Sequence, residues 1–359
     1  MTEFLIIGRG LAASVLMHQL HEAEISFHTI GTPSLSTSSR VAAGLWNPIV
    51  FKRMTAGWLA KELTDGVMPF YEACEIRTGK KFATERTIIR PFNEEQEERL
   101  WTKRADDSLK DFLDPVIYRD HFPKGLIINR GYGLVKRSGN LDVASFIDAT
   151  EALFNDQITE AQVVYADIQQ HHQSVSWKHL TAKNILFCEG HLIRHNPWFN
   201  WLPLKPAKGE IIHIACEDID LTNQVFNKDG FILRTTDGTL KVGATYVWDD
   251  LTDTPTDPQL TELEEKVRQM THAPYSLKAH LAGVRPSSLD RRPLIGRHPS
   301  LTNFWVFNGL GAKGVLMAPY FAKNFVHFYK QSIPLHPEVQ LNRYYDRFTQ
   351  TQDQTHWST

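Results

Sequence analysis

With 359 residues, 42% of them hydrophobic and 22% charged, the chain is long for one core and predicts two lobes. A net charge of −2 argues against a nucleic-acid surface and against a polybasic membrane patch. Three widely spaced cysteines, Cys74, Cys188 and Cys216, form no CxxC and read as reduced packing residues of a cytoplasmic protein.

Phe4-Leu-Ile-Ile7 follows the first three residues directly, so neither a signal peptide nor a membrane span is expected. That run predicts a buried strand, followed by a turn at Gly8-Arg-Gly10, a helix through Ser14 to His21 and a second strand over Ile25 to Ile30. This is the first βαβ unit of a dinucleotide fold, with Ala13 in the third glycine position. Two glycines allow a tight turn and close approach to a pyrophosphate at the helix N-terminus, making Gly8, Gly10, Leu11, Ala12 and Ala13 candidate ligands. An acidic ribose ligand is expected about 20 residues on. Instead the second strand ends in Ile30-Gly31-Thr32, which leaves the ribose to backbone groups or to the hydroxyls of Ser34, Ser36, Thr37, Ser38 and Ser39. Arg40 and the Ala42-Ala43-Gly44 run that follow suit a phosphate and a flat ring, with Trp46 and Asn47 beside them.

Residues 58–113 predict helix, with the run Glu94 to Arg99 as a solvated face. Short strands are expected at Gly125–Asn129, Gly133–Lys136, Val163–Ala166 and Ser174–Trp177, and a helix from Asn140. His171-His172 lies in a polar, Gln-rich stretch and reads as surface; no metal is expected. Asn184 to Gly190 predicts another buried strand ending in glycine. Glu210–Ala215, Gly230–Thr235 and Thr239–Tyr246 alternate like antiparallel strands, with Asp237-Gly238 as a hairpin turn. Asp257–Met270 predicts a helix opened by Pro258, and a strand returns through Lys278–Val284 to Arg285. The tail from Thr349 is polar and expected to fray.

Near the C-terminus, Phe304-Trp-Val-Phe307 reads as a strand and runs into Asn308-Gly-Leu-Gly-Ala-Lys-Gly314. A helix follows with Val315, Met317, Ala318, Phe321, Ala322 and Phe325 on its buried side. A glycine-rich bend feeding a helix aims unpaired N–H groups and the positive dipole end at whatever lies beyond the strand, which suits an anionic ring edge.

With these pieces in order, the chain resembles the D-amino acid oxidase/glycine oxidase family of flavoproteins. The matching motifs are Gly8-x-Gly10-x-x-Ala13, Ala42-Ala-Gly44, Phe187-Cys-Glu-Gly190 and Pro203-Leu-Lys-Pro-Ala-Lys-Gly209. Further on come Gly238 to Thr245, Ala282-Gly-Val-Arg285-Pro with Asp290 and Pro293-Leu-Ile-Gly296, and Asn308-Gly309 to Gly314. The resemblance implies an α/β fold: a Rossmann-like, GR2-type FAD-binding domain assembled from residues 1–50, 135–200 and 280–345. A second α+β domain on a mixed or antiparallel sheet, from 51–134 and 201–279, would hold the substrate, with 346–359 as tail. Two departures stand out: Gly31 takes the place of an acidic ribose ligand, and Glu189 replaces the more usual Ala before Gly190. No cysteine lies in the last third of the chain, so noncovalent FAD is expected.

FAD would be held by Gly8, Gly10, Leu11, Ala12, Ala13, Ser38, Ser39, Arg40, Ala43, Gly44, Gly190, Arg285, Gly309, Gly311, Ala312, Lys313 and Gly314. The implied chemistry is oxidation of a small amino acid or secondary amine by hydride transfer to flavin N5, with oxygen or another acceptor taking the electrons. Arg285 would grip the substrate carboxylate through its fork, or else pair with Asp290 for structure. Phe231 and Tyr246 align with cavity-lining positions but also read as core aromatics; Lys313 is a further candidate beside the flavin turn. Oxidation of a 2-hydroxy acid, or a partner-dependent role such as tRNA modification, are the alternatives.

Overall fold

The computed structural model describes residues 1–32 and 37–356, so the hydroxyls expected at Ser34, Ser36 and Thr37 lie outside the described residues and side chains. The first sheet orders its strands Leu294–Arg297, Phe304–Asn308, Leu180–Phe187, Thr2–Ile7, Phe27–Gly31, Ile158–Glu160. All neighbours are parallel except the edge pair 294–297 and 304–308. A hairpin, Ile168–Gln170 and Val175–Trp177, adds on antiparallel to Leu180–Phe187.

The apolar run Phe4–Ile7 feeds two cores because successive strand side chains point to opposite faces. Phe4 and Ile6 pack with Ala13 and Leu16 of helix Leu11–Glu22 and with Phe321 and Phe325 of helix Gly314–Gln331. Leu5 and Ile7 pack on the other face with Trp177, Phe199 and Phe304. Each such side chain contributes about 1.5–3 kcal/mol when fully buried. From Ile7 the chain crosses through helix Leu11–Glu22 to Phe27–Gly31 on one side, while Leu180–Phe187 lies on the other. A crevice therefore opens outside the carboxyl ends of these strands, where ligands of such sheets bind.

The second sheet orders Ser276–Arg285, Ala207–Ala215, Leu240–Gly243, Phe231–Arg234, Gln224–Asn227, Ala83–Pro91, Tyr132–Leu141, Leu45–Trp46. It is mixed: only Gln224–Asn227 beside Ala83–Pro91 is parallel. Helix Asp257–Met270 covers it, setting Leu263, Val267 and Met270 against Ile212, Ile232 and Val242. The two sheets meet where the Leu45–Trp46 strand joins the second one. Trp46 is seated there over Gly139, where a Cβ would lie 2.3 Å from the indole ring.

Several local expectations differ from the structure. The stretch 58–113 is not continuously helical: helix Ala60–Thr78 stops at Gly79 in the left-handed conformation, and strand Ala83–Pro91 precedes helix Glu95–Asp106. The β-branched run Thr84, Thr87, Ile88, Ile89 favours the strand. Residues 125–129 form a turn with a single bridge from Leu126 to Thr271; Gly125 has φ +79°, and a Cβ there would meet the Asp218 carbonyl at 2.6 Å. In place of a strand at 163–166 the chain makes a short helical turn, Tyr165–Asp167. The tail does not fray at Thr349: helix Tyr345–His356 runs on, anchored by Phe348 against Trp201 and His298. No described helix is long and apolar enough to cross a membrane.

Candidate active site

A cavity of about 540 Å³ occupies the crevice and runs from the first sheet to the second. At the first-sheet end the chain turns through Gly8 and Gly10 into helix Leu11–Glu22. Gly8 has φ +124°, and a Cβ there would stand 2.4 Å from the Cys188 carbonyl oxygen, so the close approach of the two strand ends requires glycine. Gly10 caps the helix without a side chain. The Leu11 N–H donates to Ser39 Oγ at 3.1 Å, while the next first-turn donors have no intrahelical partner, an arrangement that suits an anion.

Gly8, Gly10, Leu11 and Ala12 line the cavity together with Ser38, Ser39, Ala43, Gly44 and Gly190. Gly44 has φ +70°, and a Cβ there would overlap the Leu141 carbonyl. Ala13 is fully buried behind the turn, in the core with Phe4 and Ile6. From the other side, Gly311, Ala312 and Gly314 close the wall at the start of helix Gly314–Gln331, where Gly314 lets Leu11 approach to 3.1 Å of its missing Cβ.

The second-sheet end is built differently. Strand Ser276–Arg285 pairs antiparallel with Ala207–Ala215 in the register Gly209↔Gly283 and Ala207↔Arg285. Gly283 accommodates the short helix Thr37–Val41, since a Cβ there would fall 2.8 Å from Ser38 Cα. Gly209 accommodates the Arg285 guanidinium itself: a Cβ on Gly209 would collide with its nitrogens. Arg285 Nη1 donates to the Lys208 carbonyl at 3.3 Å and the Thr245 carbonyl at 3.2 Å, and its guanidinium carbon lies 4.1 Å from the centroid of the Tyr246 ring. Burial lowers its pKa, with the Tyr246 hydroxyl opposing. No carboxylate pairs with it among the described residues. Asp290 is engaged elsewhere, by Arg343, Ser288 and the Arg292 N–H.

Phe231 and Tyr246 both line this end; Tyr246 is 52% exposed and stacks on Trp248.

Four of the candidates lie off the cavity wall: Ala13, Arg40, Gly309 and Lys313. The Arg40 guanidinium is held by Asp148 at 2.7 Å. Gly309, φ +74°, shapes the turn against Leu294. Lys313 has an exposed flank, but its ammonium reaches to 3.2 Å of the Cβ position of Gly57. Crowding by protein and, second, the nearby Arg292 cation lower its pKa. Trp46 is buried against Gly139, and Asn47 Oδ1 accepts from the Ile49 N–H; neither lines the cavity.

Sequence reasoning missed Arg9, Gly209, Gly283, Tyr165 and His191 as lining residues. Only Gly209 and Gly283 carried a signal: glycines in strand interiors, which mark close approach of another group. His191 and His195 both line the wall, yet no group of described residues is arranged to hold a metal.

The residues fit FAD. A cradle of backbone donors at Gly10–Ala12 suits its diphosphate, Gly8 and Gly44 let the Cys188 and Leu141 backbone close against the turns that line the cavity, and the cavity is long enough to reach Arg285 in the second sheet.

Comparison with known proteins agrees. Residues 3–327 match the family model described as FAD dependent oxidoreductase. Glycine oxidase of Bacillus subtilis (strain 168) is 34% identical over 116 residues, 32% of this chain and 31% of that protein. The bifunctional tRNA 5-methylaminomethyl-2-thiouridine biosynthesis protein MnmC of Marinobacter nauticus is 28% identical over 137 residues, 34% of this chain and 21% of that protein. The alignments thus span about a third or less of these curated relatives. Glycine oxidase from Bacillus cereus ATCC 14579 superposes with a TM-score of 0.75 at 18% identity, covering 94% of this chain and 97% of that one. Iminodiacetate oxidase from Chelativorans sp. BNC1 gives 0.75 at 18% identity, covering 95% and 98%.

Proposed function

The chain belongs to the FAD-dependent oxidoreductase family, and from that premise we propose that it oxidises a small amino acid or secondary amine bearing a carboxylate. One observation carries the proposal: the Arg285 guanidinium sits in the cavity with backbone carbonyls and an aromatic face for company and no counter-anion among the described residues. A cation desolvated in this way favours an anion that can accept two parallel N–H bonds. Bound FAD supplies the acceptor for the hydride that leaves the substrate's α-carbon.

Arg285 orients the substrate by its carboxylate, and Phe231 and Tyr246 flank the carbon to be oxidised and exclude water. The groups that touch the Arg285 guanidinium, the Lys208 and Thr245 carbonyls and the Tyr246 ring, include no carboxylate or imidazole, which supports an amine that arrives already deprotonated. Gly8, Gly10, Leu11, Ala12, Ser38 and Ser39 hold the diphosphate; Gly311, Ala312 and Gly314, with the helix N-terminus they open, face the ring. Lys313 stands behind that turn as a second cation. Attachment is noncovalent, since all three cysteines are buried and burial drives the Cys188 thiol pKa well up. The FAD-binding part is built on the first sheet and the substrate part on the second, so the boundaries expected at 50, 135 and 280 shift: strands Leu45–Trp46, Tyr132–Leu141 and Ser276–Arg285 all belong to the second sheet, and the protein acts in the cytoplasm. The names of the glycine and iminodiacetate oxidases support an amine substrate with a carboxylate.

The test is anaerobic titration of purified protein with glycine, N-methyl glycine, iminodiacetate, D- and L-amino acids and 2-hydroxy acids. Bleaching of the flavin band by amines but not hydroxy acids is expected. Bleaching by hydroxy acids alone would reverse the assignment, and bleaching by none would favour an amine presented by a larger partner.

A further inference from the structure

The Gly8–Gly31 unit lacks the carboxylate that dinucleotide folds place after the second strand to receive a ribose hydroxyl. The structure gives the reason. The Arg9 side chain runs across Gly31, whose Cβ would lie 3.1 Å from Arg9 Cγ. Its guanidinium donates to the Gly31 carbonyl at 3.4 Å and is held by Glu151 at 2.7 and 2.9 Å and by Glu160 at 3.0 Å. An acidic side chain at position 31 would displace this network.

One carboxyl does line the cavity among the described residues, and it comes from the opposite strand. Glu189 follows the carboxyl end of Leu180–Phe187, next to the turn at Gly190. Two donors fix it: Tyr165 Oη at 2.8 Å to one carboxyl oxygen and Asn196 Nδ2 at 2.9 Å to the other. Asn196 is itself locked, its Oδ1 accepting from the Trp198 and Phe199 N–H groups. Each Glu189 oxygen keeps a lone pair for another donor.

The direction of the cavity fixes what that donor is. The diphosphate belongs at Gly10–Ala12, and the redox ring belongs at the Arg285 end. The other half of the cofactor, the adenosine, must then lie toward Gly31 and the wall from Ala161 to Tyr165. Glu189 is tied to that wall through Tyr165. We propose that Glu189 replaces the missing acidic residue and receives a ribose hydroxyl of the adenosine half of FAD, reaching it from the returning strand rather than from the second strand. Burial raises the Glu189 pKa to about 7, against the donors Asn196 and Tyr165, so near neutrality it can accept from the sugar in either protonation state.

The test uses apoprotein, with FAD binding followed by flavin fluorescence and ADP, 2′-deoxy-ADP and 3′-deoxy-ADP as competitors. Wild-type protein should favour ADP over at least one deoxy analogue by roughly tenfold, the scale of one charge-assisted hydrogen bond. Glu189→Ala should weaken FAD by a similar factor and erase the preference; Glu189→Gln, which keeps an acceptor, should retain part of it. Equal competition by all three nucleotides against wild type overturns the proposal, and that arm needs no variant to fold. An unchanged ADP preference in Glu189→Ala overturns it as well. Neither result bears on Arg285 or on the substrate, which the bleaching panel reads separately.

Discussion

The two ends of the cavity are made by opposite means. The end proposed for the diphosphate is backbone: Gly8 and Gly44, both within the first 44 residues, leave out side chains so that main chain can approach main chain. The Arg285 end is one charged side chain suspended from carbonyls contributed by Lys208 and Thr245, far away in sequence. A backbone site tolerates no added atom, whereas a side-chain site tolerates many changes in fold yet few in chemistry.

Mutation of each end should therefore give separable phenotypes. The largest expected effect is Gly8→Val: with Cβ space ending at the Cys188 carbonyl, FAD affinity should fall by at least about 100-fold, near 3 kcal/mol. The check is flavin content and fluorescence titration; a yellow Gly8→Val protein with wild-type affinity would break the contrast. Next, Arg285→Leu should bind FAD normally but lose on the order of 100-fold in reduction rate at low concentrations of carboxylate substrates, as removal of a buried charge partner costs about 2–5 kcal/mol. Stopped-flow reduction reads it, and equal loss with an amine lacking a carboxylate would remove Arg285 from substrate binding.

A pH series sharpens the same end. Without a nearby base, the low-substrate reduction rate should climb roughly tenfold per pH unit until the free amine predominates. A plateau centred near neutrality would reveal a protein base.

Glu189 provides a stability test at the other end. Its folded pKa, about 7, exceeds the ordinary 4.5, so between these values the folded state holds a proton that the unfolded state has lost. Its contribution to apoprotein stability should decline as pH rises from about 4.5 to 7, and Glu189→Gln should flatten that part of the melting curve. The smallest effect is Arg40→Ala. Its ion pair with Asp148 is partly exposed, with side chains 30% and 62% accessible, so stability should change by less than about 1 kcal/mol. FAD affinity should not change.

The same contrast explains what could be read from the sequence. The strands at 4–7, 210–215 and 304–307, the Gly8–Ala13 turn and the Gly309–Gly314 bend were legible because each is a local pattern: an apolar run, a glycine spacing, a helix start. Strand Ala83–Pro91 was missed inside a charged helical region, because its partners at 132–141 and 224–227 supply the pairing that its own sequence only hints at. Arg285 could be named from its motif, but not its surroundings: the space above Gly209 exists only once strands 207–215 and 276–285 are in register. Arg40 and Lys313 lie off the cavity wall for the same reason, since proximity along the chain says nothing about which way a long side chain turns.

Gly209 has a consequence for redesign. The cation proposed to select for acids occupies the volume an ordinary residue would fill, so on that proposal acid preference rests on a hydrogen where other amino acids carry carbon. Enlarging position 209 while replacing Arg285 with an uncharged side chain offers a short route to a catalyst for plain amines, one that leaves the nucleotide-holding half of the molecule untouched.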